Sequence, residues 1–308
     1  MKTSRPRFLI AVVAVFLCLL SFGSGLFARD PLQSEVVVLH VRVTDPLSQA
    51  VLDVPQSSFR VLEDNVQQTI TMFSKEQIPV SYGLVIDNSG SMRSQISEVI
   101  NAGVRIVNSN KPGDDAFLVR FISSDKIQVV QETTSDQRLL ANGLDTLYVE
   151  GGQTAVVDAV YLAVDKLAKQ ASSDKARRRA LVLVTDGEDR NSFYKVEKLL
   201  SLLGSNDVQI YAIGFIGDLK TKSAEKAKNL LSQLATDTGG RAFFPDTAGE
   251  VKNIADQIIN DIRTQYVIGY EPSNRQSGFH KVQVLIEDDN KTEKRVAVTR
   301  VGYLASQK

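Results

Sequence analysis

The chain has 308 residues, 43% of them hydrophobic and 23% charged, and its 36 basic and 36 acidic side chains give a formal net charge of zero. That length holds one large domain or two smaller ones with cores of their own, and the charge balance excludes a chain drawn by its overall field to nucleic acid or to an anionic membrane surface. The single cysteine, Cys18, lies in the N-terminal apolar run, so the remainder is expected to hold together without disulfides.

Lys2, Arg5 and Arg7 precede an apolar run from Phe8 to Phe22, which is followed by Gly23, Ser24, Gly25 and Ala28. Residues 1–29 read as a secretory signal. The run is shorter than the ~20 residues of a spanning helix, although Leu26, Phe27 and Ala28 would extend it into an uncleaved anchor; the length favours cleavage. Leu17, next to Cys18, sits where lipid attachment would need a small residue. The expected location is periplasmic or extracellular, with membrane contact only if the segment stays attached.

Residues 30–79 carry short alternations typical of half-buried strands. In VVVLHVRVTD, Val37, Leu39, Val41 and Val43 fall on one face, and Val38, His40, Arg42 and Thr44 on the other. From Val80 to Thr264 apolar strands alternate with helical periodicity: YGLVID, DAFLVRFI, RALVLVTD, VQIYAIGFI and RAFFP are strand-like, and the segments between them include the amphipathic AVVDAVYLAVDKLA and SAEKAKNLLSQLATDTGG. This order predicts an α/β fold, a doubly wound, Rossmann-like, mostly parallel sheet flanked by helices. Residues 265–308 return to β texture, with Val282, Val284 and Ile286 answered by Val296 and Val298 across DDNKTE as a hairpin. A lone hairpin is marginal in water. The two terminal segments are therefore expected to pair into one small all-β module around the α/β domain.

The chemistry concentrates in three places. YGLVID delivers Asp87 to a strand end, with Ser89 and Ser91 following at two-residue spacing; GGQTAVVDA puts Thr154 at the head of a helix; LVLVTDGED ends a strand in Asp186. Ligands of open α/β sheets bind beyond the C-terminal strand ends, and oxygen donors without thiolate or imidazole suit a hard divalent cation.

This set resembles the metal-ion-dependent adhesion site of von Willebrand factor type A domains. Asp87, Ser89 and Ser91 match the D-x-S-x-S motif, Thr154 the threonine loop and Asp186 the third motif, in order across roughly residues 80–264. The resemblance implies Mg2+ or Mn2+, with Ca2+ also open, held by Ser89, Ser91 and Thr154, with Asp87 and Asp186 direct or through water. It leaves a coordination position for an Asp or Glu of a partner protein. It also implies that ligand binding can be coupled to a shift of the last helix, here Glu250 to Gln265, which leads directly into the C-terminal β segment. The flanks, from VRVTD to VGYLA, resemble those of exported bacterial proteins of acidobacterial type that carry such a domain. Gln153 between Gly152 and Thr154 departs from the family pattern on the face a partner would meet.

Several alternatives read the same residues differently. DNSGS could be a helix N-cap. An EF-hand loop fails, because Met92 stands where the loop needs glycine. A Mg2+-dependent hydrolase of phosphatase type would use a second aspartate two residues after Asp87, where Ser89 stands, and the only histidines, His40 and His280, fall in the β segments. A structural envelope module with a vestigial metal site is the third alternative. Asp158 either buttresses the threonine loop or faces solvent. Glu188 and Asp189 read as a solvated loop, and KARRR, Lys175 to Arg179, as a solvated run at a helix end. The overall expectation is a non-enzymatic, cation-dependent adhesion or assembly module.

Overall fold

A computed structural model describes residues 36–170, 177–287 and 294–305. The expected signal or anchor, residues 1–29, lies outside the described residues, among which no helix is long and apolar enough to cross a membrane.

The chain opens with four strands, β1 (Val37–Thr44), β2 (Phe59–Glu63), β3 (Val66–Gln68) and β4 (Ile70–Ser74). The central unit then runs β5 (Val80–Asp87), α1 (Ile96–Asn108), β6 (Asp115–Phe121), β7 (Ile127–Thr134), α2 (Gln137–Asp145), α3 (Val156–Lys169), β8 (Arg178–Thr185), α4 (Val196–Ser205), β9 (Gln209–Gly214), α5 (Thr221–Asp237), β10 (Arg241–Phe243) and α6 (Val251–Arg263). It closes with β11 (Tyr266–Tyr270), β12 (Gly278–Ile286), β13 (Val296–Val298) and β14 (Gly302–Ala305).

The central sheet has the order β10-β9-β8-β5-β6-β7, parallel except for β7. Chain progress runs one way from β5 to β6 and β7 and the other way from β8 to β9 and β10, so the winding reverses between β5 and β8. A crevice opens at such a reversal, and ligands of α/β sheets enter there. The central strands are apolar on both sides because helices cover both: α1, α2 and α6 pack on one face, α3, α4 and α5 on the other. Packing is close enough that a Cβ on Gly83 would lie 2.5 Å from the Phe117 ring.

Strict strand-helix alternation is broken at β7 and α2. IQVVQETT pairs antiparallel to β6 as the outermost strand, half exposed, and so lacks the continuous apolar run that marks its buried neighbours.

The terminal segments form two four-stranded antiparallel sheets, β13-β1-β11-β4 and β14-β12-β2-β3, each mixing strands from both ends of the chain. They share one core, in which Leu39, Val41, Phe59, Val61, Tyr266, Ile268, Tyr270 and Val284 meet. The expected hairpin across 288–293 is replaced by other pairings. β13 pairs with β1, while β12 lies between β14 and β2. Two sheets sharing a core give each strand a separate apolar partner, which a two-stranded ribbon cannot supply.

β1 also departs from a half-buried strand. Its second face is covered, with His40 and Arg42 buried. Arg42 reaches Asp261 of α6 with Nη1 to Oδ2 at 2.5 Å, and His40 Nε2 lies 3.6 Å from Asp207. In the basic run that leads into β8, Arg177 and Arg178 likewise depart from a solvated surface. Arg177 pairs with Asp115 and donates to Ser81, and Arg178 is fully buried with Nη1 donating to the Ile262 carbonyl at the end of α6. Lys175 and Ala176 lie outside the described residues.

Candidate metal centre at the sheet edge

Asp87 is fully buried at the end of β5, where the strand gives way to a loop. Its Oδ1 accepts from the backbone N–H of Ser89 at 2.8 Å, and its Oδ2 accepts from the Thr185 hydroxyl at 2.6 Å. Thr185 in turn accepts from the Gly187 N–H at 3.0 Å, so one hydroxyl ties the end of β5 to the end of β8. The Ser89 and Ser91 hydroxyl oxygens lie 3.0 Å apart.

The helix-cap alternative makes a geometric demand that these serines do not meet. Ser89 precedes a short 3-10 turn, Gly90–Ser94, but its side chain makes no capping bond. Helix α1 begins only at Ile96, and Gln95, at its cap position, makes none either. The two hydroxyls face each other beside a buried carboxylate and are not spent on helix ends.

Asp186 follows β8, buried, with Oδ1 accepting from the Glu188 N–H at 3.0 Å. Thr154 is buried just ahead of α3, and its carbonyl accepts from the N–H groups of Arg190 at 2.9 Å and Asn191 at 3.3 Å. The Glu150 N–H donates to the Asn88 carbonyl at 2.9 Å, and Asn88 Nδ2 to the Tyr148 carbonyl at 2.8 Å. Backbone bonds thus join all three loops that carry the predicted residues.

Asp158 does not face solvent, and what its side chain fastens is the segment after β8 and the β6–β7 connection. It is buried, and its two oxygens accept from the N–H groups of Phe193 at 2.7 Å and Tyr194 at 2.8 Å and from the Ser124 hydroxyl. Asp189 is exposed, yet its Oδ1 accepts from the Val157 N–H at 3.2 Å and the Ser192 hydroxyl at 2.6 Å, fastening the head of α3. Glu188 pairs with Arg190. The loop after Asp186 is therefore a structural tie as well as a solvated surface. Thr185 was hidden to sequence reasoning as one more residue of an apolar strand; only the pairing of β8 beside β5 brings it to Asp87.

Burial pushes the Asp87 carboxyl up to about 6, against the hydroxyl and N–H donors from Thr185 and Ser89 that pull it down. Among the described residues no lysine or arginine forms an ion pair with Asp87 or Asp186. A desolvated carboxylate without a cationic partner, beside converging hydroxyls, fits a hard divalent cation, which needs only oxygen donors. Ser89 and Ser91 with Thr154 would hold such an ion; Asp87 and Asp186 would balance its charge.

A family model for the von Willebrand factor type A domain matches residues 83–257, more than half of the chain. The chain belongs to that family. A search of curated proteins returns no match. Among solved structures it is similar to proximal thread matrix protein 1 of the mussel byssus with a zinc-occupied MIDAS motif, at 19% identity and a TM-score of 0.50, covering 65% of this chain and 49% of that one. It is also similar to the von Willebrand factor type A protein from Catenulispora acidiphila, at 13% identity and 0.49, covering 87% and 74%. A third is an aerotolerance-related membrane protein from Bacteroides fragilis, at 17% identity and 0.47, covering 59% and 98%. At 19% identity the likeness to the mussel protein is one of fold alone. Von Willebrand factor type A domains are commonly adhesion or assembly modules that bind other proteins, and this chain has their fold.

Proposed function

We propose that the protein is an exported, non-enzymatic binding module in which a divalent cation at the sheet edge is completed by a carboxylate of a partner protein. Asp87, Ser89, Ser91, Thr154 and Asp186 are its ligands, directly or through water, and Mg2+ or Mn2+ its ion, with Ca2+ a weaker candidate. The observation that carries this reading is the pair of serine hydroxyls 3.0 Å apart, unused as helix caps, beside a buried carboxylate. Neutral hydroxyls with only two carboxylates leave the ion an excess of positive charge, which attracts an incoming anion strongly in a partly desolvated crevice.

The rim supports a protein ligand. Phe193 is 83% exposed on the loop that ties to Asp158, and Tyr148 is 54% exposed beside the loop that holds Asn88. Exposed aromatics around a polar centre suit a protein contact. A hydrolase is less well supported, since His40 and His280 lie in β1 and β12 of the outer sheets. Export rests on the charged and apolar pattern of residues 1–29.

Calorimetric titration of Mg2+ and Mn2+ into the full chain tests the metal. Saturable binding is expected, lost in Asp87→Ala and weakened about tenfold or more in Ser91→Ala, whose exposed position spares the fold. Zinc belongs in the same series, because the mussel protein holds it in its motif. Absence of binding by the folded protein, or binding unchanged in both variants, would overturn the reading.

A further inference from the structure

A second cluster of metal-ligating side chains lies far along the chain from the sheet edge. Glu63 ends β2 and Asp64 opens the two-residue turn into β3, with Asp64 and Asn65 at φ of 49° and 67°. Both angles are left-handed, as a tight hairpin of this kind requires and as Asp and Asn tolerate. β12 pairs antiparallel to β2, with Val282 opposite Glu63, and this register brings His280 against the turn.

Each of the three side chains uses one polar atom on the protein and turns the other inward. Glu63 Oε2 accepts from the Tyr270 hydroxyl at 2.6 Å and the Tyr303 hydroxyl at 2.9 Å. Asp64 Oδ1 accepts from the Lys281 N–H at 2.9 Å. His280 Nε2 lies 2.8 Å from the Gln276 carbonyl, an acceptor only, so Nε2 carries the hydrogen. The three residues each offer a ligand atom within 4.8 Å of the others', and of the remaining atoms His280 Nδ1 lies 2.8 Å from Asp64 Oδ2 and 3.9 Å from Glu63 Oε1.

A proton on Nδ1 satisfies only part of this arrangement. It would serve Asp64 Oδ2 at 2.8 Å, but Glu63 Oε1 lies 3.9 Å from Nδ1. That oxygen is buried with no hydrogen-bond partner among the described residues, on a side chain 1% exposed. An unpaired carboxylate oxygen out of water is expensive. A neutral imidazole would be worse, because its Nδ1 lone pair would face both carboxylates. A divalent cation accepts all three lone pairs together.

We infer that Glu63 Oε1, Asp64 Oδ2 and His280 Nδ1 form a binding site for a zinc-type divalent cation, completed by water on the Asp64 side. One imidazole with two carboxylates suits zinc better than magnesium. Ligands about 2.1 Å from a tetrahedral zinc stand about 3.4 Å apart, so small rotations that open the 2.8 Å contact and close the 3.9 Å one suffice. The bonds made by Nε2, Oε2 and Oδ1 hold the three ligands from behind, as outer partners of metal ligands do. Asp64, 40% exposed at its side chain, gives the ion a way in. The ion would clasp the β2–β3 turn to β12, two segments 216 residues apart.

The test uses the full chain without a histidine tag and with Ser89→Ala and Ser91→Ala, which take two of the proposed ligands from the sheet edge, titrated with ZnCl2. Roughly one equivalent is expected, and Asp64→Asn in that background should weaken it about tenfold or more. Asparagine keeps the left-handed turn and the bond from Lys281 but gives up the charged contact with His280 Nδ1, so the metal-free melting temperature is measured beside the titration. The chain has two histidines, and zinc should shift the His280 ring resonance alone. Zinc binding indifferent to Asp64→Asn, or no saturable binding with His280 found protonated at both ring nitrogens, would overturn the site. Should Asp64→Asn alter the melting temperature, the His280 resonance decides: moved by zinc in the parent it supports the site, unmoved it sinks it.

Discussion

The central sheet and the two outer sheets differ in where their buried polar groups go. In the central unit one group of them, Asp87, Ser89, Thr154, Asp158, Thr185 and Asp186, lies at the strand ends, the helix head and the loops on the crevice side of the sheet. In the outer sheets they sit on the strands and pair across long stretches of chain, as Arg42 does with Asp261 and Glu63 with Tyr270 and Tyr303. The first arrangement serves a ligand that arrives from solvent. The second fastens chain ends to a finished domain, and its charges are costly unless every partner is present.

The sharpest way to break that contrast is to cut a fastening. Arg42→Met leaves Asp261 buried beside only the more distant Arg241, at 3.8 Å, and should cost about 3–5 kcal/mol. Urea denaturation should show most of that loss recovered when Asp261→Leu is added, because both charges are then gone.

A second, somewhat smaller effect appears with pH. Burial lowers His40 from 6.5 to about 4. Between those values the unfolded chain binds a proton that the native protein does not, so stability falls as pH falls through this window, by roughly 3 kcal/mol in all. Denaturation midpoints measured from pH 7 to pH 4 should drop, and His40→Leu should flatten this part of the profile.

The edge of the central sheet should respond in metal affinity more than in stability. Thr185→Val removes the hydroxyl that holds Asp87 Oδ2 and should weaken Mn2+ about tenfold to a hundredfold, read by calorimetry. The smallest effect belongs to the rim. Phe193→Ser should change stability by no more than about 0.5 kcal/mol and leave Mn2+ affinity unaltered, while reducing affinity for a protein ligand once one is in hand.

The same contrast explains what the sequence disclosed. Asp87, Ser89 and Ser91 lie within five positions, and Thr154 and Asp186 each mark a strand end or a helix start, so local pattern sufficed to nominate all five. The α/β alternation was legible because helices covering both faces force continuous apolar strands. Thr185 and the Glu63–Asp64–His280 cluster were hidden, and the role of Asp158 was left open, because each acquires its partners only through strand register or loop closure. The pairing across 288–293 misled for the same reason: alternation shows that β12 and β13 are strands, not which strands they meet. Arg42 and Arg178 misled most, since arginine reads as surface unless a buried acceptor is known in advance.

Anomalous diffraction from crystals of the protein grown with MnCl2 tests the central claim most directly. The account predicts a manganese peak bounded by the Ser89, Ser91 and Thr154 hydroxyl oxygens, about 2 Å from each, with the two serines no longer bonded to one another. A saturated crystal with no peak at that edge would contradict it.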